Sequence, residues 1–212
     1  TATQAIYAQD AWKFASKWTL TTGLRAESWR AYSGARSAGG ASVGYGNRHE
    51  THYSPKASLA YAATDDLTLR ASVGRAYRFP TVSELFQGSL SGLSIVNNDP
   101  NLKPESTLSK ELAADWYTDS GLFHLALFQD DVKDTLYSQT DTTVIPNITN
   151  IQNIDRIRNR GIELSYQGEN VAVAGLDLSA GIGYTRSKIL EPSRSPETDR
   201  KSVVEGKSVD LG

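Results

Sequence analysis

The chain has 212 residues, of which 39% are hydrophobic and 22% charged, with a formal net charge of −2 and neither cysteine nor methionine. The missing cysteines exclude disulfides, thiolate metal sites and cysteine nucleophiles, and the charge balance gives no electrostatic footprint for nucleic acid. The mean hydropathy is −0.42 and no stretch approaches the roughly 18 apolar residues of a membrane helix, which leaves membrane-crossing strands open because these are apolar on one face only.

A chain without methionine does not start at a natural initiator, and it carries no signal peptide. It reads as a section of something longer. The predicted strands begin with 3–15 and 18–33, joined by a tight turn at Ser16-Lys17. A Gly/Ser/Ala-rich loop, 34–50, follows, and then strands over 51–63 and 67–78 that meet at Thr64-Asp65-Asp66. The clearest pattern lies in the second of these. Leu67, Leu69, Ala71 and Val73 alternate with Thr68, Arg70, Ser72 and Gly74, the period of two that gives a strand one oily and one polar face. A second long loop, 79–104, holds Pro80, Pro100 and Pro104. Strands over 105–118 and 122–138 are joined by Asp119-Ser120-Gly121, a third long loop spans 139–150, and strands over 151–168 and 175–188 bring the number to about eight.

Connections therefore alternate short and long along the whole chain. This predicts an all-β fold, an antiparallel up-and-down meander with every long loop at one end. Transmembrane barrels sort their loops in this way, and the strands reach the roughly 9–11 residues needed to cross a bilayer. The meander is thus expected to form part of a larger transmembrane β-barrel.

Leu20, Leu24, Leu59, Leu69, Leu112, Leu127, Ile162, Leu164, Leu176 and Ile182 fall on the expected lipid face. Arg25, Glu27, Lys56, Arg70, Arg78, Glu111, Asp115, His124, Glu163 and Asp177 fall on the expected lumen face. A charge on the lipid face at mid-bilayer costs ~2–4 kcal/mol, which is the reason for the sorting; Lys110 breaks it. Aromatic residues gather toward the short turns (Phe14, Trp18, Tyr61, Trp116, Phe123, Tyr166) and toward the long loops (Trp29, Tyr53, Tyr77, Phe79, Tyr137, Tyr184), as two interfacial girdles would. The competing architecture is a soluble all-β module, such as a sandwich that presents loops to a ligand or glycan.

Three motifs stand out. Residues 74–86 read Gly-Arg-Ala-Tyr-Arg-Phe-Pro-Thr-Val-Ser-Glu-Leu-Phe, in which Thr81 and Glu84 have the spacing of a helix capping box. Residues 98–105 read Asn-Asp-Pro-Asn-Leu-Lys-Pro-Glu, a turn-rich return. Asn159-Arg160-Gly161-Ile162-Glu163 opens the core of a strand. In this order the set resembles the barrel of TonB-dependent outer-membrane receptors, over about residues 3–190. Tyr77 and Phe79 stand where Phe and Ala are more usual in that family.

The resemblance implies a plugged barrel of about 22 strands, of which this chain supplies about eight. It implies a place in the outer membrane of a Gram-negative bacterium, in contact with its lipid, and active transport of a bulky nutrient such as an iron–siderophore complex. Energy would come from a TonB partner acting through a plug domain absent here. Lumen-facing Arg25, Arg70, Glu111 and Glu163 are the candidates to contact that plug. Loop residues Tyr45, Arg48, Tyr77, Arg78 and Tyr137 are the candidates to meet the ligand.

No pattern supports an enzyme, a cofactor or a metal centre. Asp130-Asp131 reads as a solvated pair near the outer surface. His49 and His52 flank a loop-strand junction without the spacing of a metal-binding helix, and Gly206-Lys207-Ser208 lacks the upstream glycine of a phosphate loop. The barrel section is placed at 1–198. Residues 199–212 resemble a translated sequencing adapter and are set outside the fold argument.

Overall fold

A computed structural model describes residues 1–38, 40–86, 90–91, 94–191 and 204–211. Strands β1 (Ala2–Ala15), β2 (Trp18–Ala31), β3 (Ala35–Ala38), β4 (Ala41–Gly44), β5 (Arg48–Ala62) and β6 (Leu67–Arg78) precede a short helix, α1 (Val82–Phe86). After it come β7 (Leu90–Ser91), β8 (Ser94–Asn97), β9 (Glu105–Thr118), β10 (Gly121–Asp141), β11 (Asn147–Gly168), β12 (Leu178–Glu191) and β13 (Val204–Leu211). The main sheet runs in the order β1-β2-β5-β6-β9-β10-β11-β12-β13, so every long strand lies beside its neighbour in sequence and antiparallel to it. The expected meander is therefore present. Of the tail set aside in the sequence, the described part is β13, which pairs with β12.

The register sorts side chains into lateral rows. Trp12, Leu20, Leu59, Ala71, Leu112, Leu127, Ile162 and Tyr184 stand side by side from β1 to β12. One row nearer the short turns lie Trp18, Tyr61, Leu69, Ala114, Leu125, Leu164 and Ile182. The next row holds Leu67, Trp116, Phe123, Tyr166 and Ala180. Its rings follow one another at 5.7 Å (Trp116 to Phe123) and 4.5 Å (Phe123 to Tyr166). Trp12, Phe14, Trp18 and Tyr61 continue the aromatic line at spacings of 5.4, 6.4 and 4.4 Å. These rows face outward with nothing packed on them: Leu112 and Ile182 are each 60% exposed. A soluble sandwich would cover them with a second sheet. Lipid is the solvent that suits them.

The opposite face is polar and concave. A hollow of about 530 Å³ draws Gln9, Thr21, Lys56, Ser109 and Glu163 from strands as far apart as β1 and β11, so the sheet curves around it.

Three expectations need correction. The third long loop is largely strand. β10 has 21 residues and β11 has 22, and they form one hairpin that reaches Asp141 and Asn147. Beyond the bilayer a strand needs no oily face, so polar residues such as Gln139, Thr140, Thr149 and Asn150 pair there without breaking the ladder. The second is Trp29 and Phe79, which are not girdle residues. Trp29 is 1% exposed and stacks on Phe79 at 5.9 Å. With Ala31, Leu85 and Leu102 it forms a small core at the long-loop end. Leu176 and Asp177 likewise precede β12 and belong to a turn.

Leu125→Arg, in the middle apolar row, is expected to cost ~2–4 kcal/mol of stability in lipid. Ser72→Arg, on the polar face, is expected to cost far less. Urea unfolding of the membrane-inserted protein compares the two directly.

Candidate functional site

The first two motifs fold onto each other at the long-loop end. Phe79-Pro80 leads β6 into α1, and the predicted capping box forms. The Thr81 amide donates to Glu84 Oε2 at 2.8 Å, and the Glu84 amide donates to Thr81 Oγ1 at 3.3 Å. Arg78 Nη2 holds the other Glu84 oxygen at 2.5 Å. The far end of the helix is closed by Asn98, whose amide donates to the carbonyls of Ser83 (2.6 Å) and Glu84 (2.8 Å). Asn98 in turn accepts from Arg36 at 3.3 Å. Leu102, fully buried, sits beside Leu85 and Trp29. Asn153 on β11 clamps the return by accepting from the Lys103 amide (2.8 Å) and donating to the Lys103 carbonyl (3.0 Å). These contacts make a cross-braced platform at the long-loop end of the sheet.

Arg48 belongs to that platform. Its guanidinium lies 5.3 Å from the centre of the Trp29 ring, donates to the Pro100 carbonyl at 2.8 Å and to Glu50 at 2.7 Å. Glu50 also meets His52 at 3.1 Å, and His52 stacks against Tyr77 at 4.4 Å, where the β5–β6 pairing has ended at Lys56 and Gly74. The structure thus brings Arg48, Tyr77 and Arg78 to one end of the sheet. Arg78 also faces Glu105 at 3.7 Å. Tyr45 stacks on Phe86 at 5.3 Å, beside Gly34, where an added methyl group would stand 2.6 Å from the Phe86 ring. Tyr137 lies apart on the long β10–β11 hairpin, 44% exposed.

On the same polar face, Arg25 pairs with Glu27 at 3.0 Å and Arg70 with Asp115 at 3.4 Å, where His124 joins at 2.6 Å. Glu111 and Glu163 line the hollow, and among the described residues neither has an ionic partner. Gly161, the glycine of the third motif, lies under the Phe128 ring, and a methyl group added there would stand 2.6 Å from the Tyr184 carbonyl oxygen. His49 and His52 lie on opposite strand faces, since three positions separate them. Asp131 corrects the solvated-pair reading. It is 6% exposed and holds Arg158 at 2.7 Å, Arg156 at 3.1 Å and Gln129 at 2.7 Å.

Sequence reasoning missed Glu50, Asn98 and Asn153. Asn98 had a signal, because it follows the capping box within one motif set. Asn153 had none, since its partners, Lys103 and Asp134, lie 50 and 19 residues away in sequence.

An outward apolar band bounded by aromatic rings, a polar concave wall and all long connections at one end define the wall of an outer-membrane β-barrel. Over residues 1–210 the sequence matches the family described as TonB dependent receptor-like, beta-barrel; the chain belongs to this family, whose place is the Gram-negative outer membrane. It is 29% identical over 174 residues to the Heme/hemopexin utilization protein C of Haemophilus influenzae, covering 66% of this chain and 23% of that protein. It is 27% identical over 135 residues to the Iron-regulated outer membrane virulence protein of Vibrio cholerae, covering 62% and 18%. The chain thus spans about a quarter or less of the length of these relatives. Its fold resembles that of the copper transporter OprC, with a TM-score of 0.72, 20% identity and coverage of 89% of this chain and 29% of that one. It also resembles the siderophore receptor PirA from Pseudomonas aeruginosa, with a TM-score of 0.62, 18% identity and coverage of 87% and 34%.

Burial works to raise the Glu84 carboxyl, but the Thr81 amide and the Arg78 guanidinium outweigh it and hold the group below its ordinary value. A depressed carboxyl stabilises the folded form above its unfolded value and loses that contribution as pH falls through the folded one. Protection of the α1 amides in hydrogen exchange is therefore expected to drop as pH falls below the ordinary carboxylate range. Glu84→Gln is expected to remove that dependence, and Thr81→Ala to cost about 1 kcal/mol above that range and less below it, because the Thr81 hydroxyl also donates to the Glu84 carboxylate.

Proposed function

We propose that this chain is one sector of a larger, closed TonB-dependent receptor that takes up an iron-bearing nutrient across the outer membrane. The observation that carries the reading is the strict division of the sheet, with oily rows outside and charged side chains around a hollow inside. β1 leaves one backbone edge unpaired among the described residues. Hydrocarbon does not sustain an open edge, which favours further strands beside it.

On this reading Glu111 and Glu163, facing the hollow without ionic partners among the described residues, meet the plug, and Arg25 and Arg70 flank it. TonB supplies the energy through that plug. Arg78 and Tyr137 are exposed enough to meet an arriving ligand, whereas Arg48, Tyr77 and Tyr45 act by holding the loop platform. The names of the relatives point to haem and iron, and that of PirA to a siderophore, so an iron chelate is the cargo class favoured.

The test is growth on a single iron source. Deleting the gene is expected to abolish growth on either ferric enterobactin or haemin in iron-limited medium, and loss of TonB is expected to abolish it equally. Growth of the deletion strain on both sources would overturn the iron assignment. The double change Glu111→Lys and Glu163→Lys is expected to slow uptake while leaving ligand bound at the cell surface; unchanged uptake would remove the plug-facing role.

A further inference from the structure

The outward face changes chemistry abruptly one row above the apolar band. Along β9 the step is from Leu112 to Lys110, along β11 from Ile162 to Arg160, and along β12 from Tyr184 to Arg186. These positions are neighbours in register: Lys110 opposes Gln129, Gln129 opposes Arg160, and Arg160 opposes Arg186. The next row holds Arg75, Leu108, Asp131, Arg158 and Lys188, and the row beyond it Ser106, Lys133 and Arg156. Rows two residues apart are about 7 Å apart along a strand, so the first basic row lies at the edge of the oily surface.

The cluster is built to hold positive charge. By register Glu205 opposes Arg186 and Glu191 opposes Arg156 at the β12 end of these rows; among the described side chains Asp131 is the one acid. It is shared between Arg156 and Arg158, and Gln129 steadies it while accepting from Arg160 at 2.8 Å. Arg156 Nε is buried without a partner. Arg75, Lys110, Lys133, Arg186 and Lys188 are exposed and form no ion pair or side-chain hydrogen bond among the described residues. The whole chain has a net charge of −2, so this concentration of cations on one face is local.

We infer that the outward face of β9–β12 is a binding surface for a phosphorylated lipid of the outer leaflet. Its acyl chains lie on Leu112, Leu127 and Ile162, and its phosphates meet Lys110, Arg160, Arg186 and Lys188. A bare basic patch would attract any anion. Continuity with the lipid-facing rows selects an anion that carries its own hydrocarbon, anchored at this height. Charges placed at a bilayer surface are attracted to anionic headgroups, and guanidinium forks suit phosphate oxygens. The inference rests on the outer-membrane reading above.

The test uses the intact receptor in detergent micelles, offered bisphosphorylated lipid A or the same lipid stripped of its phosphates, with retained lipid counted by native mass spectrometry. The wild type is expected to prefer the phosphorylated form by about tenfold or more. Lys110→Gln, Arg186→Gln and Lys188→Gln together break no side-chain bond among the described residues and are expected to erase the preference. Lys56→Gln, facing the hollow, is expected to leave it intact. Equal retention of both lipids by the wild type, or a preference that survives the triple change, would overturn the inference while leaving the receptor reading standing. Retention of neither lipid would contradict the lipid-facing rows themselves. Growth of the triple variant on its iron source confirms that it folds.

Discussion

Hydrocarbon offers a backbone nothing to bond with and a charge nothing to be solvated by. That constraint organises this protein. The first half of it demands a ladder without gaps, and the pairs from β1 through β12 run nearly unbroken through the apolar rows, with shifts at Lys13/Ala15 and at Arg156/Ile157. The second half demands that charge leave the outer face for as long as the strand is in the membrane. Lys56, Arg70, Glu111, Asp115 and Glu163 all obey it by turning inward, where Arg70 and Asp115 pair with each other.

Once a strand clears the bilayer the constraint lapses and ordinary folding rules return. The long-loop end therefore carries what the membrane section lacks: a core of buried side chains, a capped helix, and asparagines that close stray carbonyls. Trp29, Leu85 and Leu102 bury their surfaces against one another, and Arg48 and Asn153 tie the connecting segments to the strands beneath. A receptor wall needs this second, soluble-style unit, because loops standing on a barrel rim have no lipid to hold them in place.

The sequence made the membrane section legible because alternation is a strong signal when one solvent is oil. Leu67, Leu69 and Val73 were enough to assign faces, and Thr81 with Glu84 was enough to place α1. Other features were opaque for physical reasons. An aromatic residue near a strand end serves a girdle or a core equally well, and the partners that bury Trp29, namely Phe79, Leu85 and Leu102, lie far from it along the chain. The β10–β11 extension was read as loop because a strand in water on both faces has no period to detect. Of the candidate ligand residues, composition and position suggested Arg48 and Tyr77, but only the fold reveals that Trp29, Pro100 and His52 already occupy them.

Lys110 is the most instructive of these failures. On a single strand it is a break in the pattern, a charge where an apolar residue belongs. In the sheet it is the first member of a row continued by Arg160 and Arg186 on strands some 50 and 75 residues later in the sequence. Charges on this face are sorted by height rather than by face, and height is a property of register that no local window contains. Asp131 follows the same logic. Read alone it is half of a solvated acidic pair. Placed between Arg156 and Arg158, it becomes the brace that lets several cations stand together at the membrane surface without driving one another apart. Among the described side chains this one acid holds two guanidiniums in place and leaves Lys110 and Lys188 exposed toward the leaflet outside.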